Sequence, residues 1–459
     1  MKRSTNIKVC LSSFMLYILL RASKNNMRLI LWFLEHLRSG PPEWKEKMQA
    51  LRTLLLSDHP FPRFLNRLNG ELSPRCRKAF ISNLIVRGLF HNKDTRRDFE
   101  KREGFFPPLA VSFAPTSRCN LNCDHCSAAG QAKQDLDPKL MIRVMREARD
   151  VMGVHFFILT GGEPFIYNDL FSVIGEFRDC YFQIFTNGTM LGEANVKTLK
   201  ELGNVLVMLS LEGFEEDTDR RRNNGVFSAA TCAMQRLHSA GVPFGFSVMT
   251  TRRNIGSVTG EEFIDWAIKH GCLLGYYLHY LPVGSDPDLS LLPTPSQRNL
   301  SRKNTYRWRN EKPIFLIDAL NDGPLTGGCT SAGKHYVHIL SSGDVTPCVY
   351  CNFSTHNIKD VSLTEALNSP YLTTLRRAIP FEGNALRCCM VLDRPGFFFR
   401  TLELFRPRSC IPGEKEKLES MKPELLSYAN QMKEIYDEAW KNGEWESIIS
   451  SIKWSIGNC

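Results

Sequence analysis

The chain has 459 residues, of which 43% are hydrophobic and 23% are charged. This length and composition exclude a disordered polypeptide and a small disulfide-stapled scaffold, and they leave room for two or three hydrophobic cores. The formal net charge is +10, but a nucleic-acid-binding protein needs a basic patch beside a recognisable binding module. The sequence contains no such module, so we expect no nucleic-acid partner.

The first 38 residues are both basic and apolar. They carry seven Lys and Arg side chains against the single acidic residue Glu35, and they contain the apolar stretches 9–20 and 29–37. Each stretch is shorter than the roughly 20 residues that span a bilayer. Three interpretations are open: a helix packed on the catalytic domain, an interfacial helix on anionic lipid, and a secretory signal peptide. The packed helix is the default expectation.

Residues 41–104 are typical of helical and connecting sequence. The run Phe105-Phe106-Pro107-Pro108 then marks a boundary, because a pair of prolines cannot continue a helix and favours extended chain. We therefore assign residues 1–104 to an N-terminal helical region that is a candidate for contact with a membrane surface. The core begins at residue 105.

Six apolar runs typical of β-strands follow, and stretches with helical periodicity separate them. The runs are Leu109–Pro115, His155–Thr160, Tyr181–Thr186, Val205–Leu211, Phe244–Thr250 and Leu274–Leu281. Strands that alternate with helices predict an α/β fold with a parallel sheet. We assign this core to residues 105–312.

Three closely spaced cysteines, Cys119, Cys123 and Cys126, follow the first predicted strand. Iron–sulfur clusters are normally held by four thiolates, so three cysteines without a nearby fourth leave one iron open to a substrate or cofactor. Short cysteine spacings also occur in zinc sites. In that alternative, His125 or a distant cysteine completes a tetrahedron.

The second strand is followed by Thr160-Gly161-Gly162-Glu163-Pro164. The CxxxCxxC motif with GGEP some 35 residues later resembles the radical S-adenosylmethionine (radical SAM) enzymes. The resemblance implies a [4Fe–4S] cluster on Cys119, Cys123 and Cys126, whose fourth iron binds the amine and carboxylate of S-adenosylmethionine. It also implies an open six-stranded (β/α)6 partial TIM barrel with its chemistry at the C-terminal strand ends.

The glycine loop is the first of the predicted cofactor contacts. Gly161 and Gly162 let a backbone approach a ligand closely, and the resemblance implies that their loop, with Glu163, contacts the amine of S-adenosylmethionine. After the third strand, Thr186-Asn187-Gly188 is similar to a TNG segment of the family. Asn187 then faces the cofactor, although Asn-Gly is also an ordinary turn dipeptide.

Two further motifs follow the fourth strand. Ser210 and Glu212 lie in a segment similar to the family's S-[IL]-[DE]-G, and an acidic group there can accept hydrogen bonds from ribose hydroxyls. The run 219–227 resembles the family's R-x-x-G-x-F. We predict that Arg222 pairs with the cofactor carboxylate, since a guanidinium fork suits carboxylates. The other two arginines, Arg220 and Arg221, are expected on a solvated face.

The region 313–410 contains six cysteines. Its phrases Gly327-Gly328-Cys329 and Gly343–Cys348 resemble the SPASM extension or its shorter Twitch form, which binds auxiliary iron–sulfur clusters. The cysteine count implies one auxiliary cluster, with Cys329 and Cys348 as ligands and either Cys388 or Cys389 as the next. Adjacent cysteines rarely both ligate one metal, and we select Cys389. A structural zinc or buried free thiols are the alternative.

Residues 411–459 are expected to form C-terminal helices. The sequence thus predicts a radical SAM oxidoreductase or transferase that acts on an unidentified lipid, peptide or small molecule. A non-catalytic zinc- or iron–sulfur-binding sensor on a degenerate barrel is the alternative. The predicted cofactors are the [4Fe–4S] cluster, S-adenosylmethionine and an auxiliary iron–sulfur cluster, with flavodoxin or ferredoxin as the electron donor. Because such thiols need a reducing compartment, we expect a cytoplasmic protein, with peripheral membrane contact through residues 1–38 as a second expectation.

Overall fold

The computed structural model describes residue 55 and residues 58–446. The basic and apolar N-terminal segment therefore lies outside the described residues. The described chain begins with helices that precede the sheet. These are α1 (Phe61–Glu71), α2 (Pro74–Ala79), a π-helix (Phe80–His91) and α3 (Lys93–Glu103).

A regular alternation of strands and helices forms the core. Its strands are β1 (Ala110–Thr116), β2 (Phe156–Gly161), β3 (Tyr181–Thr186), β4 (Val205–Leu211), β5 (Phe244–Thr250) and β6 (Leu274–His279). Its helices are α4 (Pro138–Met152), α5 (Leu170–Glu176), α6 (Glu193–Leu202), α7 (Glu215–Arg222), α8 (Val226–Ala240), α9 (Ile255–Val258) and α10 (Glu261–Lys269). All six predicted strands are present, and the predicted α/β class is confirmed.

The remaining chain adds helices and short strands. The helices are α11 (Pro295–Glu311), α12 (Gly323–Thr326), α13 (Leu363–Leu367), α14 (Pro370–Arg377), α15 (Pro395–Phe405), α16 (Glu414–Ser420) and α17 (Lys422–Lys441). The strands are β7 (Phe315–Asp318), β8 (Tyr336–Ile339), β9 (Asp344–Thr346), β10 (Phe353–Ser354), β11 (His356–Asn357) and β12 (Arg408–Ser409).

The main sheet has ten strands in the order β11-β9-β8-β1-β2-β3-β4-β5-β6-β7. Strands β8 and β1 to β7 run parallel, whereas β9 and β11 are antiparallel additions. The sheet is therefore wider than the six predicted strands. The cysteine-rich region does not form a layer apart from the core, because its strands pair with both β6 and β1. Those pairings join residues far apart in sequence, which a local pattern does not reveal.

The sheet curls strongly enough to bring distant strands together. The rings of Phe185 on β3 and Tyr276 on β6 meet edge to face with centroids 5.7 Å apart. In a flat sheet these strands, three positions apart, lie about 14 Å from each other. The short distance requires a concave face, as in an open barrel.

The two faces of the sheet differ in burial. On β6, the outward-facing Tyr277 and His279 are buried under helices, whereas the inward-facing Tyr276 and Leu278 are only half-buried. Strand β2 shows the same alternation, with Phe157 and Leu159 buried. The outer face is therefore the more completely buried of the two, and aromatic and aliphatic side chains pack on the concave face. At its N-terminal end, Phe80 of the π-helix packs on Tyr181 and closes the floor.

The C-terminal helices dock on the rest of the fold. Helix α17 packs against α11 and α15, with Leu425, Met432 and Tyr436 on its buried side. The rings of Trp440 and Trp445 stack with centroids 4.5 Å apart. Helices α16 and α17 together extend through residue 441.

Candidate active site

The three cysteines predicted to bind a cluster lie in the irregular loop that follows β1. Cys119, Cys123 and Cys126 are half-buried free thiols. Burial raises the pKa of Cys119 and Cys123, the Cys123 and Cys126 thiols add to the rise at Cys119, and the Cys126 thiol adds to the rise at Cys123. His125, the alternative zinc ligand, has Nδ1 only 2.9 Å from the carbonyl oxygen of Asp286.

The glycine loop after β2 packs directly on the cysteine loop. The backbone N–H of Gly162 donates to Thr116 O, and that of Glu163 donates to Arg118 O, both at 2.9 Å. A Cβ atom on Gly162 would lie 2.0 Å from Arg118 O, and one on Gly161 would lie 2.6 Å from Thr116 O. We predicted that these glycines admit a ligand. The structure gives a different reason for them, because the backbone they approach is that of the cysteine loop.

The Glu163 carboxylate is bound inside the protein. It is 1% exposed, and its oxygens accept hydrogen bonds from Phe165 N at 3.1 Å, Thr186 Oγ1 at 2.7 Å and Asn187 N at 2.8 Å. Burial raises the pKa of Glu163 above its usual range, while these hydrogen bonds oppose the shift. This side chain therefore ties the ends of β2 and β3 together.

Asn187 reaches the cysteine loop. Its Nδ2 donates to Asn120 Oδ1 at 2.9 Å, and its Oδ1 accepts from Thr189 N at 2.9 Å and from Thr189 Oγ1 at 2.7 Å. The amide thus holds the loop that carries the thiols. Asn120 was not among the predicted site residues, although its position directly after Cys119 was a signal that could have identified it.

Glu212 at the end of β4 is the centre of a buried charge cluster. It is 1% exposed, and its Oε1 accepts from Arg222 Nε at 2.8 Å and from Arg221. Its second oxygen, Oε2, is buried without a hydrogen-bond partner. Arg220 is exposed and pairs with Asp217. The expectation that both Arg220 and Arg221 are solvated is therefore wrong for Arg221, because its guanidinium donates a hydrogen bond to the Glu212 carboxylate.

This charge cluster also acts on the cysteine loop. The N–H of Asp124 donates to Arg221 O at 3.1 Å, which joins the loop to α7. Although burial raises the pKa of Cys123, Arg222 and Arg221 lower it. Nearby cations favour the thiolate form that binds metal. Three half-buried thiols on one loop beside two arginines are the kind of donor that a thiolate-ligated cluster takes, although within the described residues no three such side chains meet at metal-binding distance.

Ser210 lies near the end of β4, and Glu212 directly follows that strand. Ser210 is half-buried and in register with Ser247 on β5. The free Oε2 of Glu212 is an acceptor that a ligand hydroxyl can satisfy, which fits a ribose. One end of the sheet is therefore surrounded by Ser210 and Glu212 together with Glu163, Asn187 and Arg222.

The auxiliary cysteines gather in the C-terminal region. Burial raises the pKa of Cys348, Cys388 and Cys389, and the neighbouring Cys329 thiol adds to each shift. Cys388 Sγ donates to Leu320 O at 3.3 Å. The structure thus places both adjacent cysteines beside Cys329.

Cys351 was not among the predicted ligands, yet its backbone bridges to that of Cys348. Burial raises its pKa to about 12, and the Cys410 thiol contributes to that shift. The sequence signal was the CxxC spacing of Cys348 and Cys351.

Tyr350, between those two cysteines, connects the two regions. Burial is the largest cause of the raised pKa of Tyr350, and the nearby Tyr276 and Cys348 raise it further. The Glu212 carboxylate raises the pKa of Tyr350 as well, whereas Arg221 lowers it. The Glu212 cluster and Cys348 therefore both act electrostatically on the phenol of Tyr350.

Comparison with known proteins decides the family. Residues 113–266 match the profile of the radical SAM superfamily, and residues 329–390 match the SPASM iron–sulfur cluster-binding domain. The chain belongs to the radical SAM superfamily. The resemblance predicted from the motifs is confirmed, and this radical SAM protein is an enzyme.

The chain covers most of the length of the relatives that it matches. It is 24% identical over 307 residues to PqqA peptide cyclase of Gluconobacter oxydans, covering 63% of this chain and 84% of the cyclase. It is 24% identical over 313 residues to AdoMet-dependent heme synthase of Methanosarcina barkeri, covering 61% and 88%. The structure of Streptococcus suis SuiB bound to S-adenosylmethionine aligns with a TM-score of 0.55 and 18% identity, covering 65% of this chain and 76% of SuiB.

The cofactor set follows from the family. The radical SAM enzyme works with a [4Fe–4S] cluster, S-adenosylmethionine and an auxiliary iron–sulfur cluster, as predicted. Enzymes of this superfamily need a reductant. The alternative of a non-catalytic sensor is not favoured.

Proposed function

We propose that the enzyme cleaves S-adenosylmethionine reductively and abstracts a hydrogen atom from a substrate not yet identified. The observation that carries the proposal is the meeting of the cysteine loop, the Glu163 loop and the Glu212 cluster at one end of the sheet. When bound, the cluster and S-adenosylmethionine supply the electron and the 5′-deoxyadenosyl group for this chemistry.

We assign a role to each residue around that end of the sheet. Cys119, Cys123 and Cys126 bind the cluster through their thiolates. The loop of Gly161, Gly162 and Glu163 receives the amine of S-adenosylmethionine, and the buried Glu163 side chain positions that loop. This division is supported by the full set of hydrogen bonds that the Glu163 carboxylate already makes inside the protein.

The charge cluster receives the other end of the cofactor. Ser210 and Glu212 accept hydrogen bonds from ribose hydroxyls, and the unpartnered Glu212 Oε2 supports this role. Arg222 pairs with the cofactor carboxylate. Asn187 faces the site and positions the cysteine loop through Asn120.

The auxiliary cluster is proposed to lie on Cys329, Cys348 and Cys389 in region 313–410. The Cys388 thiol already donates to Leu320 O, which supports Cys389 as the ligand of the pair. The reaction itself is assigned to the radical SAM core, residues 105–312. The helical region 1–104 precedes this core, and region 313–410 and the C-terminal helices of 411–459 follow it.

The substrate is proposed to be a lipid, a peptide or a small molecule, and the electron donor flavodoxin or ferredoxin. One relative is named as a peptide cyclase, which supports a peptide. The basic and apolar residues 1–38 support a lipid or membrane-bound substrate at the cytoplasmic surface. Within the described residues, no helix combines the length and the apolar character needed to cross a bilayer.

Anaerobic reconstitution tests the proposed reaction. The full chain, loaded with iron and sulfide, should release 5′-deoxyadenosine from S-adenosylmethionine when dithionite is added. Cys123→Ala should release none, whereas Cys232→Ala, which alters an exposed cysteine, should match the native enzyme. A loaded protein that binds metal tightly but yields no 5′-deoxyadenosine would instead support the sensor.

A further inference from the structure

The loop that follows β6 packs along the catalytic cysteine loop. His125 Nδ1 lies 2.9 Å from Asp286 O. The backbone of Gly284 lies against the third cysteine, because a Cβ atom on Gly284 would be 3.1 Å from Cys126 O and 3.4 Å from Ser127 Cα. Gly284 also has a φ of +92°, a conformation that favours glycine. The position of this loop therefore constrains the backbone at Cys126.

One buried carboxylate holds the loop after β6 in place. Glu414, the first residue of α16, is 1% exposed. Its Oε1 accepts a hydrogen bond from Gly284 N at 2.7 Å. Lys417, about one turn further along α16, donates from Nζ to Ser285 O. Helix α16 therefore contacts two successive residues of the loop, and the contact through Glu414 is the buried one.

The same oxygen of Glu414 also contacts the auxiliary region. Asn352 Nδ2 donates to Glu414 Oε1 at 2.9 Å, and Asn352 directly follows Cys351 in the chain. Glu414 Oε2 is buried without a hydrogen-bond partner among the described residues. Burial raises the pKa of Glu414, whereas the hydrogen bonds from Asn352 and Gly284 lower it. A single acceptor atom therefore joins the loop beside Cys126 to the chain beside Cys351.

The contact between Glu414 and Gly284 lies outside the segments that the family profiles describe. Those profiles match residues 113–266 and 329–390, and neither Gly284 nor Glu414 belongs to them. A buried carboxylate is costly unless hydrogen bonds compensate it. Glu414 makes both of its hydrogen bonds to segments that lie beside cysteines, so the two cysteine regions are the parts of the fold that this residue stabilises.

We propose that Glu414 is a positioning residue for the catalytic cluster, because it holds the loop after β6 against Cys126 and fixes that loop relative to the auxiliary cysteine region. The inference rests on the proposed function, since Cys126 is a ligand only if the cluster binds there. Without the Oε1 acceptor, Gly284 N and Asn352 Nδ2 become buried donors without a partner, which is costly. The loop then moves away from the cysteine loop, and Cys126 loses its fixed position.

Hydrogen exchange tests the contact directly. The full chain, reconstituted with iron and sulfide, is compared with its variants by mass spectrometry of peptides that contain residues 119–130 and 283–286. Glu414→Leu should exchange at least about tenfold faster in both segments. Glu414→Gln keeps an acceptor oxygen and should match the native chain. Glu416→Leu makes the same change at an exposed residue of α16 and should also match it.

Binding of S-adenosylmethionine provides a second measurement. The cofactor is titrated into the reduced enzyme, and the change in the electron paramagnetic resonance signal is recorded. The concentration that gives half of the change should rise at least about tenfold in Glu414→Leu and stay native in Glu414→Gln. Gly284→Ala leaves Glu414 in place but directs a Cβ atom at Cys126 O, so it should weaken binding and speed exchange of residues 119–130 in the same way.

The proposal is overturned if a folded Glu414→Leu protein exchanges and binds as the native chain does, or if Glu414→Gln behaves as Glu414→Leu. Where Glu414→Leu does not fold, Gly284→Ala decides, and native exchange with native affinity in that variant overturns the proposal. Hydrogen exchange is independent of cofactor cleavage. Absence of 5′-deoxyadenosine in the separate assay would therefore reject the proposed function, while the exchange of residues 119–130 would still decide the role of Glu414.

Discussion

Arg298 donates two hydrogen bonds to Asp393, from Nη1 at 2.6 Å and from Nη2 at 3.0 Å, and both side chains are buried. Arg298 belongs to α11, whereas Asp393 follows the adjacent cysteines and also accepts from Cys389 N at 2.9 Å. The ion pair thus attaches the auxiliary cysteine loop to the helix that follows β6.

Breaking this pair on one side should be strongly destabilising. Arg298→Met leaves the Asp393 carboxylate buried without its counter-charge, and we expect the free energy of unfolding to fall by about 3–5 kcal/mol. Urea unfolding measures the loss. Arg307→Met, on the exposed side of the same helix, is the control and should change little. The double variant Arg298→Met with Asp393→Leu should recover much of the loss, and failure to recover would contradict the electrostatic explanation.

The catalytic thiolates are tested one at a time. Changing Cys119, Cys123 or Cys126 to Ala should abolish cleavage of S-adenosylmethionine, because each change removes a ligand from a cluster with no spare thiolate. Formation of 5′-deoxyadenosine is the measurement. Normal cleavage by any one of the three variants would remove that cysteine from the ligand set.

The fold could be predicted from sequence wherever the signal was local. The bounds of β3, β4 and β5 agree with the prediction to the residue, because strands buried on the outer face and largely apolar on the inner face form continuous apolar runs. The joining of β8 to β1 could not be predicted in this way. It pairs residues more than 200 positions apart, and nothing in a short window specifies such a partner.

The candidate site likewise has parts that a local sequence pattern predicts and parts that depend on long-range contacts. Motif spacing located the thiols, the glycines and Glu212, since each motif is a few residues long. The hydrogen bond from Asn187 to Asn120 spans 67 residues, and the return of Arg221 to Glu212 depends on the turn into α7. These contacts are products of the tertiary fold, and they determine which polar groups remain free for a ligand.

Iron content tests the auxiliary site. The triple variant with Ala at Cys119, Cys123 and Cys126 should still bind about four irons, the content of one [4Fe–4S] cluster. Adding Cys329→Ala to that variant should reduce the iron content towards zero, whereas adding Cys232→Ala should not. Iron and acid-labile sulfide assays provide the measurement. A triple variant that binds no iron would instead support a structural zinc or free thiols in region 313–410.

His338 should make stability depend on pH. Its pKa is lowered by burial to about 3 in the folded protein, below the usual value of about 6.5 for an unfolded chain. Between these values the unfolded state binds a proton that the folded state does not, so stability falls as the pH falls below 6.5. From pH 7 to pH 5.5 we expect a loss of about 1 kcal/mol from this residue. His338→Gln should lack this part of the loss in urea unfolding, and an identical pH profile for both proteins would contradict the assignment.

The N-terminal segment provides the last prediction, which concerns access to the substrate. Residues 1–38 combine a net charge of +6 with two apolar stretches, and each basic side chain near an anionic surface contributes about 1 kcal/mol of attraction. If the segment attaches the enzyme to the cytoplasmic leaflet, the full chain should sediment with anionic vesicles at low salt and a version starting at Pro41 should not. High salt should weaken the attachment, because surface attraction is screened. A full chain that stays in the supernatant at low salt would favour a helix packed on the catalytic domain and a soluble substrate such as a peptide.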